Sequence, residues 1–99
     1  MTTSASETVI PLATSVVASE DALTVELSDG RSISVPLAWF PRLLHGTSVE
    51  RENCTLIARG EGIHWPDLDE DISVASLLAG WPSDESPASL QRWLAARKA

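Results

Sequence analysis

The sequence predicts an α+β fold, made of a small antiparallel sheet of hairpins with short helices and a C-terminal helix. Short runs alternate between apolar and polar residues with a period of two, and glycine-containing turns separate them, as in antiparallel hairpins. The segments between them are too short or too rich in proline for long helices, but they begin with helix caps. With 99 residues, 43% of them apolar and 21% charged, the chain is expected to form one globular domain.

Three strands are predicted at the start of the domain, over residues 13–19, 23–27 and 32–35, with Pro36 ending the last. The clean alternation in residues 23–27 is typical of a strand with one buried face. These strands are expected to form the first hairpins of the sheet.

The turn at residues 28–30 predicts how the second and third strands pair. A two-residue loop would place Leu27 opposite Ser32 and mix polar with apolar side chains on both faces. A three-residue loop, with its glycine left-handed, instead pairs Val25 with Ile33 and gathers the apolar side chains on one face. We therefore expect the second register.

Cap residues predict the short helices. Proline at the start and glycine at the end of residues 41–46 favour a helix there. Thr47 and Glu50 have the spacing of a capping box, which predicts a second helix to about residue 52. Within residues 73–80, a serine cap precedes a short apolar helix that ends at glycine.

A second hairpin is predicted from strands at residues 54–59 and 63–65, because the glycines between them permit a tight reversal. Pro66 ends the second of these strands, and residues 67–71 are predicted to form a loop. The chain is thus expected to contain a flexible leader over 1–12, an α+β domain over 13–80 and a C-terminal linker and helix over 81–99.

The C-terminal helix is expected to begin at Pro87, capped by Ser86. Leu90, Trp93 and Leu94 fall on one stripe of its surface. Such a stripe either packs on the domain or is presented to a partner, and the sequence leaves both alternatives open.

The net charge of −7 belongs to one third of the chain. Residues 60–91 contain seven acidic residues and no Lys or Arg, whereas the remainder contains seven of each sign. Such a segment repels phosphate backbones, so nucleic acid is not expected as a direct ligand. It attracts a basic protein, because complementary charge accelerates encounter. The alternative is a charged stretch that only keeps the protein in solution.

Other classes of protein are disfavoured by composition. No uncharged apolar run is long enough to span a bilayer, and the N-terminus lacks the positive charge of a secretory signal, so a cytoplasmic protein without membrane contact is expected. The single cysteine, Cys54, is expected to be a small apolar group of a strand. His45 and His64 have no partners at motif spacing, and phosphate-loop and nucleophile-elbow motifs are absent. We therefore expect no enzyme, no catalytic residues and no cofactor.

The candidate partner-binding residues lie in one acidic run: Trp65, Asp67, Asp69, Glu70 and Asp71. We expect Trp65 to lie at the rim of an interface, beside carboxylates that meet a basic surface. Alternate carboxylates are also typical of calcium loops, but an EF-hand loop from Asp67 would need glycine and glutamate where Ile72 and Leu78 stand. No metal site is therefore predicted, although magnesium held by one or two carboxylates stays open.

Several runs resemble those of one small bacterial family, known as domain of unknown function 2442. Its closing signature is similar to Gly62–Val74 followed by Leu77–Gly80, and its earlier recurrent stretches are similar to Asp29–Arg31, Val35–Leu43 and Glu50-Arg51. The resemblance covers about residues 13–80 and implies a compact α+β domain without an established enzymatic activity. It also implies two kinds of relative, one antitoxin-like and encoded beside a small basic protein, the other carrying a C-terminal helix-turn-helix. The residues after Gly80 hold one good helix, too little for that DNA-binding unit.

The sequence therefore favours a small acidic protein-interaction module, antitoxin-like, that binds a basic partner protein and masks it. The alternative is a transcriptional regulator that dimerises through its C-terminal helix. A metal-dependent enzyme is a third hypothesis, and a homodimer is compatible with the sequence.

Overall fold

The computed structural model describes residues 9–98, which form two antiparallel three-stranded sheets, short helices and a C-terminal helix. The predicted α+β fold class is confirmed. The strands of the first sheet are, in order, β1 (Ala13–Ala18), β2 (Ala22–Leu27) and β3 (Ser32–Pro36). Those of the second are β4 (Thr55–Ile57), β5 (Gly62–Trp65) and β6 (Glu70–Ser73). The α-helices are α1 (Pro41–His45), α2 (Ser48–Glu52), α3 (Val74–Ala79) and α4 (Pro87–Lys98).

The hairpin of β2 and β3 has the predicted register. Val25 pairs with Ile33, and the Leu27 N–H donates to the Arg31 carbonyl at 2.8 Å to close the turn. Gly30 has a φ of +94°, which glycine adopts at little steric cost. The apolar residues of β2 are buried together on one face, so the loop chemistry decides which side chains reach the core.

The chain is fixed just before β1. Residues 1–8 of the predicted leader lie outside the described part of the chain. At the end of that leader, the Leu12 N–H donates to Ser28 Oγ at 2.9 Å, and the Leu12 carbonyl accepts from the Ser28 N–H at 2.8 Å. These two bonds tie residue 12 to the first sheet.

The predicted helix caps are confirmed. Thr47 Oγ1 accepts from the Glu50 N–H at 3.1 Å, and Glu50 Oε1 accepts from the Thr47 N–H at 2.9 Å, which completes the capping box of α2. Helix α1 is followed by Gly46, and Ser73 caps α3.

The second sheet corrects one prediction. Residues 67–71 are not a loop throughout, because Glu70 and Asp71 belong to β6, which pairs antiparallel with β5. The loop is confined to residues 66–69. The hairpin of β4 and β5 is confirmed, but β4 is shorter than predicted and Cys54 precedes it.

The core collects apolar side chains from both sheets and from α1 and α3. Its fully buried members are Leu23, Val25, Leu37, Leu43, Ile63, Trp65, Leu68 and Val74. Burial of a large aliphatic or aromatic side chain contributes about 1.5–3 kcal/mol before the entropy of ordering is subtracted. The loop before β6 is anchored here as well, because Leu68 is fully buried.

Helix α4 packs on its own domain, which decides between the two alternatives for its stripe. Leu90, Trp93 and Leu94 are half-buried. Two guanidinium groups lie over the Trp93 ring, that of Arg42 at 5.2 Å and that of Arg97 at 4.6 Å from the ring centroid. Arg97 also pairs with Glu50 at 2.7 Å, and this contact lowers the pKa of Glu50 to about 2. The helix is therefore attached to the domain both by the packing of Trp93 against the apolar core and by contacts of Arg42 and Arg97.

Two glycines with similar backbone conformations give a test of the packing of the β4–β5 turn. Gly60 has a φ of +103°, and a Cβ there would lie 2.6 Å from the Ala13 carbonyl oxygen; Gly30 has open space around it. Gly60→Ala is therefore expected to lower the free energy of unfolding by about 3 kcal/mol, and Gly30→Ala by about 1 kcal/mol. Urea denaturation of both variants measures the difference. Equal losses would contradict the close contact between this turn and β1.

Candidate functional site

Trp65 does not lie at an interface rim, and that prediction is wrong. Its side chain is fully buried, and its indole N–H donates to the Arg51 carbonyl at 3.0 Å. The reason is the alternation of β5, which places Trp65 on the same face as Ile63. A buried indole with a satisfied N–H is a packing element, so Trp65 leaves the candidate site.

Three of the predicted carboxylates do reach solvent. Asp67, Asp69 and Asp71 are exposed on the turn before β6 and on β6 itself. The Asp67 carboxylate accepts from the Asn53 side-chain amide at 2.9 Å. Asp71 meets the Nδ1 of His64 on β5, a carboxylate partner that the sequence spacing did not predict for this histidine. These contacts orient the carboxylates of Asp67 and Asp71 without bringing an arginine to either of them.

Arg42 of α1 enters the acidic region from outside it. Its guanidinium binds the Glu85 carboxylate in a bidentate manner, at 2.7 and 2.9 Å, and the Asp69 carbonyl at 3.0 Å. The Asp69 carboxylate is only a distant partner at 3.4 Å, and its side chain stays 87% exposed. The hydrogen bonds from Arg42 lower the pKa of Glu85. Arg42 thus neutralises Glu85 and leaves most of the charge of Asp69 in solvent.

Asp69 adopts a left-handed backbone with a φ of +51°. Aspartate and asparagine adopt this conformation more readily than other side chains, because their short polar groups can bond locally. The Arg42 bond to the Asp69 carbonyl fixes the turn in this form.

Glu70 is the least solvated carboxylate of the run. It pairs with Trp65 across the sheet, so it lies on the inner face of β6, with Ile72 two residues along. Burial raises the pKa of Glu70 to about 7, and the neighbouring carboxylates of Glu85, Asp71 and Asp69 add to this effect against the opposing charge of Arg42. Within residues 9–98, no hydrogen bond reaches the Glu70 carboxyl. An approaching cation favours the ionised form of such a carboxyl, which then loses its proton more readily.

Two adjoining clefts open beside β6, of about 520 and 430 Å³. They share four lining residues: Glu70, Asp71, Ser83 and Asp84. The exposed ring of Trp81 lines one side of the larger cleft, and Arg42 and Glu85 line the smaller cleft. The acidic run therefore borders concave surface and not only a flat face.

Comparison with known proteins agrees with this architecture. Residues 13–83 match the family described as a protein of unknown function, DUF2442. The chain belongs to this family. No curated protein matches the sequence.

Two solved structures have the same fold. A protein of unknown function from Rhodospirillum rubrum has a TM-score of 0.65 and 24% identity, over 81% of this chain and 96% of that one. An uncharacterized protein from Chromobacterium violaceum, solved by solution NMR, has a TM-score of 0.63 and 20% identity, over 87% of this chain and 75% of that one. Helix α4 begins beyond the residues that match the DUF2442 family.

Metal binding, thiol chemistry and membrane insertion find no support in the described part of this DUF2442 chain. Across the described residues, no three His, Cys, Asp or Glu side chains converge as metal ligands. Cys54 is half-buried, and desolvation raises the pKa of its thiol, which disfavours the reactive thiolate. None of the helices in residues 9–98 combines the length and the apolar character that crossing a bilayer requires.

Sequence reasoning missed four residues at this site: Arg42, Trp81, Asp84 and Glu85. Arg42 and Glu85 are distant in sequence and carry no local pairing signal. The polar composition of residues 82–86 is typical of a linker, although its two acids belong to the charged third of the chain. For Trp81, the adjacent Gly80 and Pro82 were the signal of a turn that exposes the ring.

The raised pKa of Glu70 predicts a specific pH dependence. The folded state holds the Glu70 proton up to about pH 7, while the unfolded chain loses it near 4.5, so wild-type stability falls as pH rises through this interval. Glu70→Gln removes the effect and is expected to be more stable than wild type by about 1–2 kcal/mol at about pH 8, with no difference at about pH 4.

Urea denaturation across this pH range measures the effect. Glu52→Gln, at an exposed position of α2, controls for the loss of one negative charge. If Glu70→Gln and wild type lose stability in parallel, the desolvated carboxyl at β6 is not the titrating group.

Proposed function

We propose that this DUF2442 protein is a small acidic protein-interaction module, antitoxin-like in character, that binds a basic partner protein. The observation that carries the proposal is a set of carboxylates beside β6, here called the acidic face: Asp67, Asp69, Glu70, Asp71 and Asp84. All but Glu70 are exposed.

Most of the charge of the acidic face is retained on folding, although Glu70, with a pKa of about 7, is only partly ionised at neutral pH. Of the arginines in residues 9–98, Arg42 alone forms an ion pair there, and its closest contacts go to Glu85. None of the described arginine side chains forms an ion pair with Asp67, Asp71 or Asp84. Local negative potential therefore supports the attraction of cationic proteins.

The proposed mechanism is masking. Carboxylates bind arginine through two parallel hydrogen bonds, so a group of fixed carboxylates competes for the arginines that a basic protein uses to bind phosphate. The rigid positions of these carboxylates support the proposal: Asp71 lies in a strand and Asp69 in a turn held by Arg42. Binding would require no rearrangement of the face.

The transcriptional regulator stays an unsupported alternative. It requires a C-terminal helix free to dimerise, whereas Trp93 of α4 contacts Arg42 of the same chain. No observation favours direct binding of DNA, and the acidic face opposes it.

Charge removal from the acidic face is expected to weaken binding of an oligo-arginine peptide. Asp69→Asn combined with Asp71→Asn removes two charges, and asparagine retains the left-handed backbone at residue 69. The affinity is expected to fall about tenfold or more at low salt, with a weaker salt dependence than wild type. Isothermal titration at several salt concentrations measures both quantities.

The matched control is Glu20→Gln combined with Asp21→Asn, which removes the same charge from the exposed turn between β1 and β2. We expect this control to bind nearly as wild type does. Equal losses in the two double variants would show that net charge alone attracts the peptide, and would overturn the proposed site.

A further inference from the structure

The larger cleft beside β6 has an aromatic wall and an acidic rim. Phe40 and Ile72 lie at its apolar side, and the exposed ring of Trp81 closes it. Its acidic lining residues are Glu70, Asp71 and Asp84. Among the described residues, neither Lys, Arg nor His lines this cleft. A cavity of about 520 Å³ is large enough for a small ligand or for one side chain of a partner.

Trp81 is held in its exposed position by the backbone. The backbone N–H of Trp81 donates to the Ser76 carbonyl at 3.0 Å, and the backbone N–H of Ser83 donates to the Trp39 carbonyl at 2.9 Å. Gly80 precedes it with a φ of +78°, which turns the chain at the end of α3. Trp81 remains 66% exposed, although tryptophan is on average a highly buried residue.

The molecule already contains contacts between a tryptophan ring and guanidinium groups. The guanidinium groups of Arg42 and Arg97 both lie over the Trp93 ring, at 5.2 and 4.6 Å from its centroid. Both cation–π contacts of the described side chains belong to Trp93, so none of the described arginines lies over the Trp81 ring. The face of an indole attracts cations, and arginine in particular.

We propose that this cleft receives an arginine side chain of the basic partner, which stacks on Trp81 while its guanidinium group pairs with Glu70 and Asp84. This inference rests on the proposed function and names the anchor point of the interface. Arginine fits better than lysine, because its planar group both stacks on aromatic rings and binds carboxylates through two bonds. A single aromatic-lined pocket of this kind is typical of an interface hot spot.

Proton release accompanies this binding. The carboxyl of Glu70 is surrounded by Arg42 from α1, by Glu85 from the segment before α4, and by Asp69 and Asp71 on either side. The incoming guanidinium favours the ionised form of Glu70, which is partly protonated at neutral pH because its pKa is about 7. The affinity therefore rises with pH through neutrality, and each bound arginine releases a fraction of a proton.

The test uses the oligo-arginine peptide with Trp81→Ala and Glu70→Gln. We expect each variant to lower the affinity about three- to tenfold, since a cation–π contact or a partly desolvated ion pair contributes on that scale. The NMR resonance of the Trp81 indole N–H is identified as the one that Trp81→Ala removes from the spectrum. In wild type, we expect the peptide to shift this resonance. Titration in buffers of different ionisation enthalpy shows proton release for wild type and none for Glu70→Gln.

Two controls accompany these variants. Val49→Ala removes a similarly exposed apolar group from α2, outside the cleft, and is expected to leave binding unchanged. A citrulline version of the peptide keeps the shape of the arginine side chain without its charge, and is expected to bind neither wild type nor the variants.

The outcomes separate this inference from the proposed function. Binding that is reduced by Asp69→Asn with Asp71→Asn, but unchanged by Trp81→Ala and Glu70→Gln, would overturn the cleft and leave the acidic face as the binding surface. Absence of binding to wild type at low salt would overturn both. An oligo-lysine peptide that binds as tightly as oligo-arginine, with the same losses in the variants, would overturn the assignment to arginine.

Discussion

The buried contact between Trp65 and Arg51 is the constraint on which the second half of the structure depends. The indole N–H of Trp65 donates to the Arg51 carbonyl, and the Arg51 guanidinium donates to the carbonyls of Leu43 and Gly46. Arg51 is itself only 8% exposed, so a charged group is buried among backbone acceptors at the end of α1. A buried charge is costly unless its donors are satisfied. One guanidinium nitrogen of Arg51 donates to both carbonyls of this short segment, whereas its buried Nε has no hydrogen-bond partner among the described residues. The strand β5 is thereby fixed to α1 and α2.

The orientation of the acidic face follows from that anchor. With Trp65 directed inward, the pairing of β5 and β6 places Glu70 opposite Trp65 and Asp71 opposite His64. One carboxyl of the run is therefore desolvated while its neighbour is exposed, although the two are adjacent in sequence. Their different environments arise from the alternation of a strand, and the same residues in a loop would not differ in this way.

Local chemistry made much of the fold predictable. The loop over residues 28–30 decided the register of β2 and β3, and the Thr47–Glu50 spacing decided the start of α2. The fold class was predicted correctly because turns and caps are encoded within a few residues. The family resemblance was also correct, and it depended on short runs of the same kind. Strand β6 was missed because its polar residues carry no apolar alternation beyond Ile72, and it forms only by pairing with β5.

The candidate site was predictable in part. The exposure of Asp67, Asp69 and Asp71 followed from charge, but the burial of Trp65 required weighing its alternation with Ile63 above its proximity to Pro66 and the acids. The clefts depend on residues 81–85, which return to the domain through contacts that no short motif encodes. Long-range pairs such as Arg42 and Glu85 are decided by tertiary packing alone.

Arg42 has a double role, because it contacts both the turn before β6 and the C-terminal segment. Its guanidinium holds the turn at Asp69, which lies within the family's matched span, and also Glu85 and Trp93, which lie outside it. Because one guanidinium group serves both regions, we expect a loss of its contacts with Glu85 and Trp93 to change its hold on the turn. Thermodynamic linkage makes any such coupling reciprocal, so a change at the turn would affect the attachment of α4 by the same free energy.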